Sequence, residues 1–224
     1  MEIKAIFFDQ DNTIFNTSEV SKPAYQKALK YIADKNSISY DNLYNSWKRI
    51  VDQIKHSKDP SKRYFDYSLR LALKKNGLNL NYVQDGLRIL EKEISEKVQL
   101  TKGTREFFNA KTDLEYILYT EDNESQSNIK VVKFKLLKHF SLRITSKDTN
   151  IMKPSIKYLE IAWKRFDLEP DECIYIGDNW TKDCQIGQEL GGVGIVFNTK
   201  DARADYEIDD MRELLKIIEE IKQK

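Results

Sequence analysis

The stretch Lys4-Ala5-Ile6-Phe7-Phe8-Asp9-Gln10-Asp11-Asn12-Thr13 constrains this chain more than any other. An apolar run with aromatic residues ends abruptly in two carboxylates one residue apart, followed by Asn-Thr. Such a run reads as a strand buried on both faces, as in a parallel sheet covered by helices. The carboxylates then fall at the strand's C-terminal end, where open α/β sheets place their ligands. Two negative charges this close repel unless a cation offsets them, and a hard divalent ion such as Mg2+ is the usual answer. Read alone, Asp-x-Asp-Asn-Thr is equally a turn after a strand, because Asp and Asn are ordinary loop formers.

From about Ser18 to Val98 the texture is helical. Val20, Ala24, Ala28 and Ile32 recur at four-residue steps, with Pro23 suited to a first turn. Leu43, Trp47, Ile50, Val51 and Ile54 repeat the pattern, then Tyr64, Tyr67 and Leu71, then Val83, Leu87, Leu90, Ile94 and Val98. Four amphipathic helices in succession suffice for a small bundle. After Gly103 helix and strand alternate. The expected strands are Tyr116–Tyr119, Leu142–Thr145, Cys173–Ile176, Gly194–Phe197 and a short edge strand within Ala204–Ile208. Between them, Ile129, Val132, Leu136 and Phe140 predict one helix and Ile156, Leu159, Trp163 and Phe166 another, opened by Pro154. Ile186 and Leu190 mark a further helix, and Met211, Leu214, Leu215, Ile218 and Ile221 the last. Alternation of this kind implies right-handed crossovers and a parallel sheet. The expected architecture is an α/β, Rossmann-like core (residues 1–15 and 100–224) interrupted by a helical insertion (16–99).

A chain of 224 residues can bury a full core. Lys+Arg 37 against Asp+Glu 36 leaves a formal charge of +1, which gives no reason to expect a nucleic-acid or membrane-surface partner. Cys173 and Cys184 are too few and wrongly spaced for a disulfide scaffold or a zinc site. With no bilayer-length apolar run and no signal-peptide pattern, a soluble cytoplasmic protein is expected.

Polar residues stand at four expected strand ends, all on one rim of the sheet: Asp9 and Asp11, then Thr120, then Lys153 before a helix, then Asp178 and Asp183 within Gly177-Asp178-Asn179-Trp180-Thr181-Lys182-Asp183. In this order the sequence resembles the haloacid dehalogenase-like hydrolase superfamily, with its motifs Asp-x-Asp-x-Thr, Ser/Thr, Lys and Gly-Asp-x-x-x-x-Asp. The insertion after the first motif resembles that superfamily's helical C1 cap by position.

The resemblance implies roles. Asp9 would attack phosphorus to give an aspartyl-phosphate, and Asp11 would protonate the leaving alkoxide and later deprotonate water. Thr120 would donate to a phosphoryl oxygen, and Lys153 would offset the charge of nucleophile and phosphoryl group. Asp178 would coordinate Mg2+ directly and Asp183 would position that shell through water or Lys153, with Asp9 and, through its backbone carbonyl, Asp11 completing the metal set. The helix entered near Thr181 would add amide donors. In that family the Thr120 position is commonly followed by a neutral or small pair such as Asn-Gly, whereas here Glu121-Asp122-Asn123 follows. An acid there costs phosphate binding unless it points away or pairs with a lysine.

An intact Asp-x-Asp favours phosphoryl transfer over dehalogenation, because an alkoxide leaving group gains from a proton and a halide does not. The leading expectation is a Mg2+-dependent phosphomonoester hydrolase acting on a small soluble metabolite. A sugar-phosphate mutase of the same superfamily and a catalytically weak binding or regulatory protein are the alternatives. Trp47, Lys48, Arg49, Arg63 and Arg70 are candidates for contacting the rest of a substrate. His56 and His139 match no motif.

Overall fold

The structure is a computed structural model that describes residues 2–110 and 112–223. The chain forms two compact units, one of Thr17–Val98 and one of the residues before and after that insertion.

The inserted unit contains helices α1 (Thr17–Lys35), α2 (Tyr40–Ile54), α3 (Phe65–Lys75) and α4 (Tyr82–Lys97). Its core stripe on α1 is Val20, Ala24, Ala28, Leu29, Ile32 and Ala33, packed chiefly on α4. Pro23 lies inside α1 rather than in its first turn, because the helix already begins at Thr17. The ring nitrogen supplies no donor there, so one intrahelical bond is missing. Trp47 is buried among Tyr25, Tyr44 and Phe65, and its indole N–H donates to Ser68 Oγ at 3.0 Å. Packing and a satisfied donor account for that residue.

The second unit is built on a six-stranded, all-parallel sheet in the order β3-β2-β1-β4-β5-β6. The strands are β1 (Ala5–Phe8), β2 (Glu115–Thr120), β3 (Leu142–Thr145), β4 (Cys173–Gly177), β5 (Val193–Phe197) and β6 (Tyr206–Ile208). Strand β1 is central and fully buried because its alternate side chains serve two cores. Phe7 stacks on Tyr175 with ring centroids 5.0 Å apart and meets Tyr119 edge-on. Phe8, on the opposite face, packs among Phe107, Phe108, Tyr116 and Phe140. Helices α5 (Thr104–Asn109), α6 (Glu124–Lys133), α7 (Ser146–Thr149), α8 (Ile156–Phe166), α9 (Trp180–Asp183), α10 (Gln185–Glu189) and α11 (Glu213–Lys222) fill the connections. Among the described residues, no helix is long and apolar enough to cross a membrane.

Other sequence expectations change as well: the inward face of α3 is Phe65, Ser68, Leu69, Ala72 and Leu73 rather than Tyr64, Tyr67 and Leu71. The stripe Ile129, Val132, Leu136, Phe140 is not one helix face: α6 stops at Lys133, and Lys135 takes a left-handed φ of 57°. Within α6 itself the inward face is Ser127, Lys130 and Val131, and Val132 is 58% exposed. Helix α8 starts at Ile156 rather than Pro154, which leaves Lys153 in the preceding loop and Ile156 exposed in the first turn. Leu190 follows α10 instead of packing within it and is likewise exposed.

Candidate active site

The parallel sheet carries every strand's C-terminal end to one edge, and the polar residues of four separate segments meet there. One pocket of about 240 Å3 is lined by Asp9, Asp11, Asn12, Thr120, Glu121, Lys153, Asp178, Asn179, Lys182 and Asp183. It therefore contains all six residues singled out from the sequence.

Asp9 follows β1 directly, and its amide donates to the Ile176 carbonyl at 2.9 Å, which ties the strand end to β4. Lys153 donates to Asp9 Oδ1 at 2.6 Å and to Asp183 Oδ1 at 2.8 Å, and Thr13 donates to Asp9 Oδ2 at 3.2 Å. The ammonium also sits 3.7 Å from the centre of the Tyr119 ring, a cation–π contact between two buried side chains. Asp183 accepts from the Asn179 amide at 3.1 Å, and Tyr119 donates its hydroxyl to the Asp183 carbonyl oxygen. Gly177 permits this approach: a Cβ there would fall 2.3 Å from the Asp183 carboxyl carbon. Asp178 accepts from Asn12 Nδ2 at 3.0 Å. Asn12 holds a left-handed φ of 64°, a conformation Asn tolerates better than most residues.

Thr120 closes β2 and is buried. Its Oγ accepts from the Asp122 amide at 3.1 Å, and its carbonyl accepts from the Tyr158 hydroxyl at 2.5 Å. A hydroxyl oxygen so engaged retains one O–H donor. Glu121, the acid that departs from the usual pattern, pairs with Lys182 Nζ at 2.6 Å. Its charge is thus answered by a lysine on the same rim. The helix expected to supply amide donors is the single turn α9, too short for its dipole to contribute much.

Asp11 was expected from its spacing alone, but its immediate surroundings were not. Its carboxylate is held by Lys130, and Lys130 is also paired with Asp122 at 2.5 Å. Lys130 was missed because a lysine in a Lys-rich helix carries no signal of burial. Only its i, i+3 spacing from Ser127, which also faces inward, hints at it.

Burial and the crowding of charge together set the electrostatics. Burial raises the Asp9 carboxyl to about 7, opposed by Lys153 and reinforced by the charges of Asp183 and Asp11. Burial likewise raises Asp178 and Asp183. For Lys153, burial works against the charge, but Asp183 and Asp9 outweigh it and hold the ammonium firmly protonated. Single carboxylate oxygens of Asp9, Asp178 and Asp183 all lie within 4.8 Å of one another. Three crowded carboxylates against one ammonium leave an excess of negative charge, and an all-oxygen donor set of this kind suits a hard divalent cation. The carboxylate of Asp11, engaged by Lys130, is not in that trio.

The sequence matches the haloacid dehalogenase-like hydrolase family over residues 6–196, most of the chain. This protein is a haloacid dehalogenase-like hydrolase. The glyceraldehyde 3-phosphate phosphatase of Methanocaldococcus jannaschii is 25% identical, covering 98% of this chain and 99% of that one. Among solved structures, a HAD phosphatase from Thermococcus onnurineus aligns with a TM-score of 0.76 at 24% identity, over 96% of this chain and 98% of that one. A putative HAD-hydrolase from Bacillus subtilis, bound to magnesium, aligns with a TM-score of 0.72 at 20% identity, over 98% and 100% of the two chains. Within this hydrolase the α/β core carries the pocket, and the helical unit Thr17–Val98 interrupts it after the first motif.

Proposed function

We propose that this hydrolase is a Mg2+-dependent phosphatase that cleaves a small phosphorylated metabolite through an aspartyl-phosphate on Asp9. The observation that carries the reading is the bond from Lys153 to both Asp9 and Asp183 in a pocket that also contains Asp11, Thr120 and Asp178. Asp9, Asp178 and Asp183 would hold the metal, whose charge would draw the phosphoryl oxygens in and relieve repulsion between two anions.

An Asp9 oxygen forms a bond to phosphorus as the bond from phosphorus to the alcohol oxygen breaks. Asp11 delivers a proton to that departing oxygen, then accepts one from the water that attacks phosphorus and releases Asp9 and inorganic phosphate. Lys153 holds Asp9 in place and offsets charge on the transferring group, while Thr120 donates to one of its oxygens. Asp11 distinguishes this chemistry from dehalogenation, where a halide needs no proton.

The relatives named glyceraldehyde 3-phosphate phosphatase make a three-carbon sugar phosphate the first substrate to try. The Thr17–Val98 bundle stands in chain order where a C1 cap is inserted, and a cap role is part of this proposal. Glu121 gives some support to a catalytically weak binding protein, and its ion pair with Lys182 offsets part of that acid's charge. The test is phosphate release from a panel of sugar, glycolate, nucleotide and amino-acid phosphates, with and without Mg2+. Metal-dependent release that vanishes in Asp9→Asn is expected. Release by wild-type protein from no ester on the panel would overturn the reading, and transfer of the phosphoryl group to a second position of the product would mark a mutase.

A further inference from the structure

Lys130 is 1% exposed, and its ammonium lies between the carboxylates of Asp11 and Asp122. Burying an ammonium is unfavourable unless its partners are well placed. Its partners are fixed in turn. Asp122 Oδ2 accepts from Gln10 Nε2 at 2.9 Å, and Gln10 Oε1 accepts from Ser127 Oγ at 2.6 Å. Ser127 and Lys130 project from the same inward face of α6. The ring thus runs from the loop after β1, across the loop after β2, into α6 and back to Asp11.

We propose that Lys130 is a positioning residue for the proton-transfer step: it holds Asp11 by Oδ1 and so fixes the Asp11 carboxyl in the lining of the pocket, where the leaving-group oxygen departs. This inference rests on the phosphatase reading above. Lys130 itself touches no reacting atom. In the transfer step an Asp9 oxygen joins phosphorus, the alcohol oxygen departs with the bonding pair and takes the proton that Asp11 carries, and Asp11 regains a proton from the water that later attacks phosphorus. Without the clamp the Asp11 side chain samples other rotamers, and its proton is misplaced for that step. A buried ion pair that served only to hold the fold together would lack this consequence, and the two roles differ in their dependence on the leaving group.

The experiment is rapid-quench measurement of enzyme phosphorylation by glycerol phosphate, whose alkoxide needs a proton, and by p-nitrophenyl phosphate, whose phenolate leaves without one. Lys130→Met should slow transfer from glycerol phosphate by about 100-fold, within the usual range for general acid catalysis, and from the aryl ester by less than about fivefold. Inhibition by inorganic phosphate should change little, and Lys130→Arg should recover much of the loss. Equal slowing with both esters, or slowing with neither, overturns the proposal. Should Lys130→Met fail to fold, Asp122→Asn, which loosens the ammonium's second anchor, should show the same selectivity at smaller amplitude, and equal losses there overturn it as well. A wild-type enzyme inert toward both esters and toward every ester of the panel above is a separate result, one that removes the phosphatase reading itself.

Discussion

Glu121 and Lys182 form an ion pair at 2.6 Å on the rim of the pocket, with side chains 20% and 38% exposed. In that setting the carboxylate neutralises a cation that would otherwise attract phosphate. Glu121→Asn should therefore lower KM for a phosphomonoester by about fivefold, the equivalent of ~1 kcal/mol for a partly solvated pair. Lys182→Met should raise KM. Steady-state kinetics at fixed ionic strength checks both, and an unchanged KM in the pair would mean that neither group feels the phosphoryl charge. Gly177 makes a different demand. A Cβ 2.3 Å from the Asp183 carboxyl carbon cannot be accommodated without moving that side chain or the β4 backbone. Gly177→Ala should cost about 1–3 kcal/mol in chemical denaturation, the range for overpacking, and weaken Mg2+ binding by calorimetry.

Among the elements, α4 joins α1 through a buried charge as well as an apolar stripe. Glu93 is 2% exposed and accepts from Lys27 of α1 and from Lys97 one turn on, at 2.6 Å for the latter. Lys27, then Lys97, hold the Glu93 carboxyl below the usual carboxylate range. A lowered folded value stabilises the helices above the unfolded carboxylate range, and the benefit fades as pH falls through the folded value. Glu93→Gln should lower stability at pH 7 by about 1.5–3 kcal/mol, as for a hydrogen bond to a charged group. The gap from wild type should close in acid, below roughly pH 4. Urea midpoints across that pH range test the sign. A gap that widened in acid would contradict the assignment. The α6 segment shows how an element can mislead: Val132 sits in the expected apolar register, yet the inward positions belong to Ser127, Lys130 and Val131.

For the whole molecule, the candidate metal site joins residue 9 to residues 178 and 183, so the acidic trio exists only when the α/β core is folded. Any ion bound there is linked to folding. Saturating Mg2+, at about 100 times its dissociation constant, should stabilise the protein by roughly 2.7 kcal/mol, and chelation should reverse the effect. A thermal melt reads this directly. Asp178→Asn should remove most of the shift, and an equal shift in that variant would place the ion elsewhere.

The strand order of motifs was legible from residues alone. A buried apolar run that breaks into carboxylates has few places to go except the C-terminal edge of a parallel sheet, which singled out Asp9, Asp11 and Asp178; Thr120, Lys153 and Asp183 stood out only through the resemblance of the ordered motifs to a known family, and all six line one pocket. The alternation of helix and strand likewise implied the parallel core, because period and chain order are local properties. Pairings between long, flexible polar side chains are not local. Whether Glu121 repels phosphate or answers Lys182, and whether Lys130 meets water or clamps Asp11, depended on which segments the sheet brought within 3 Å. Electrostatic partners follow from distance in space, which a one-dimensional pattern does not encode. The tertiary structure alone decided them.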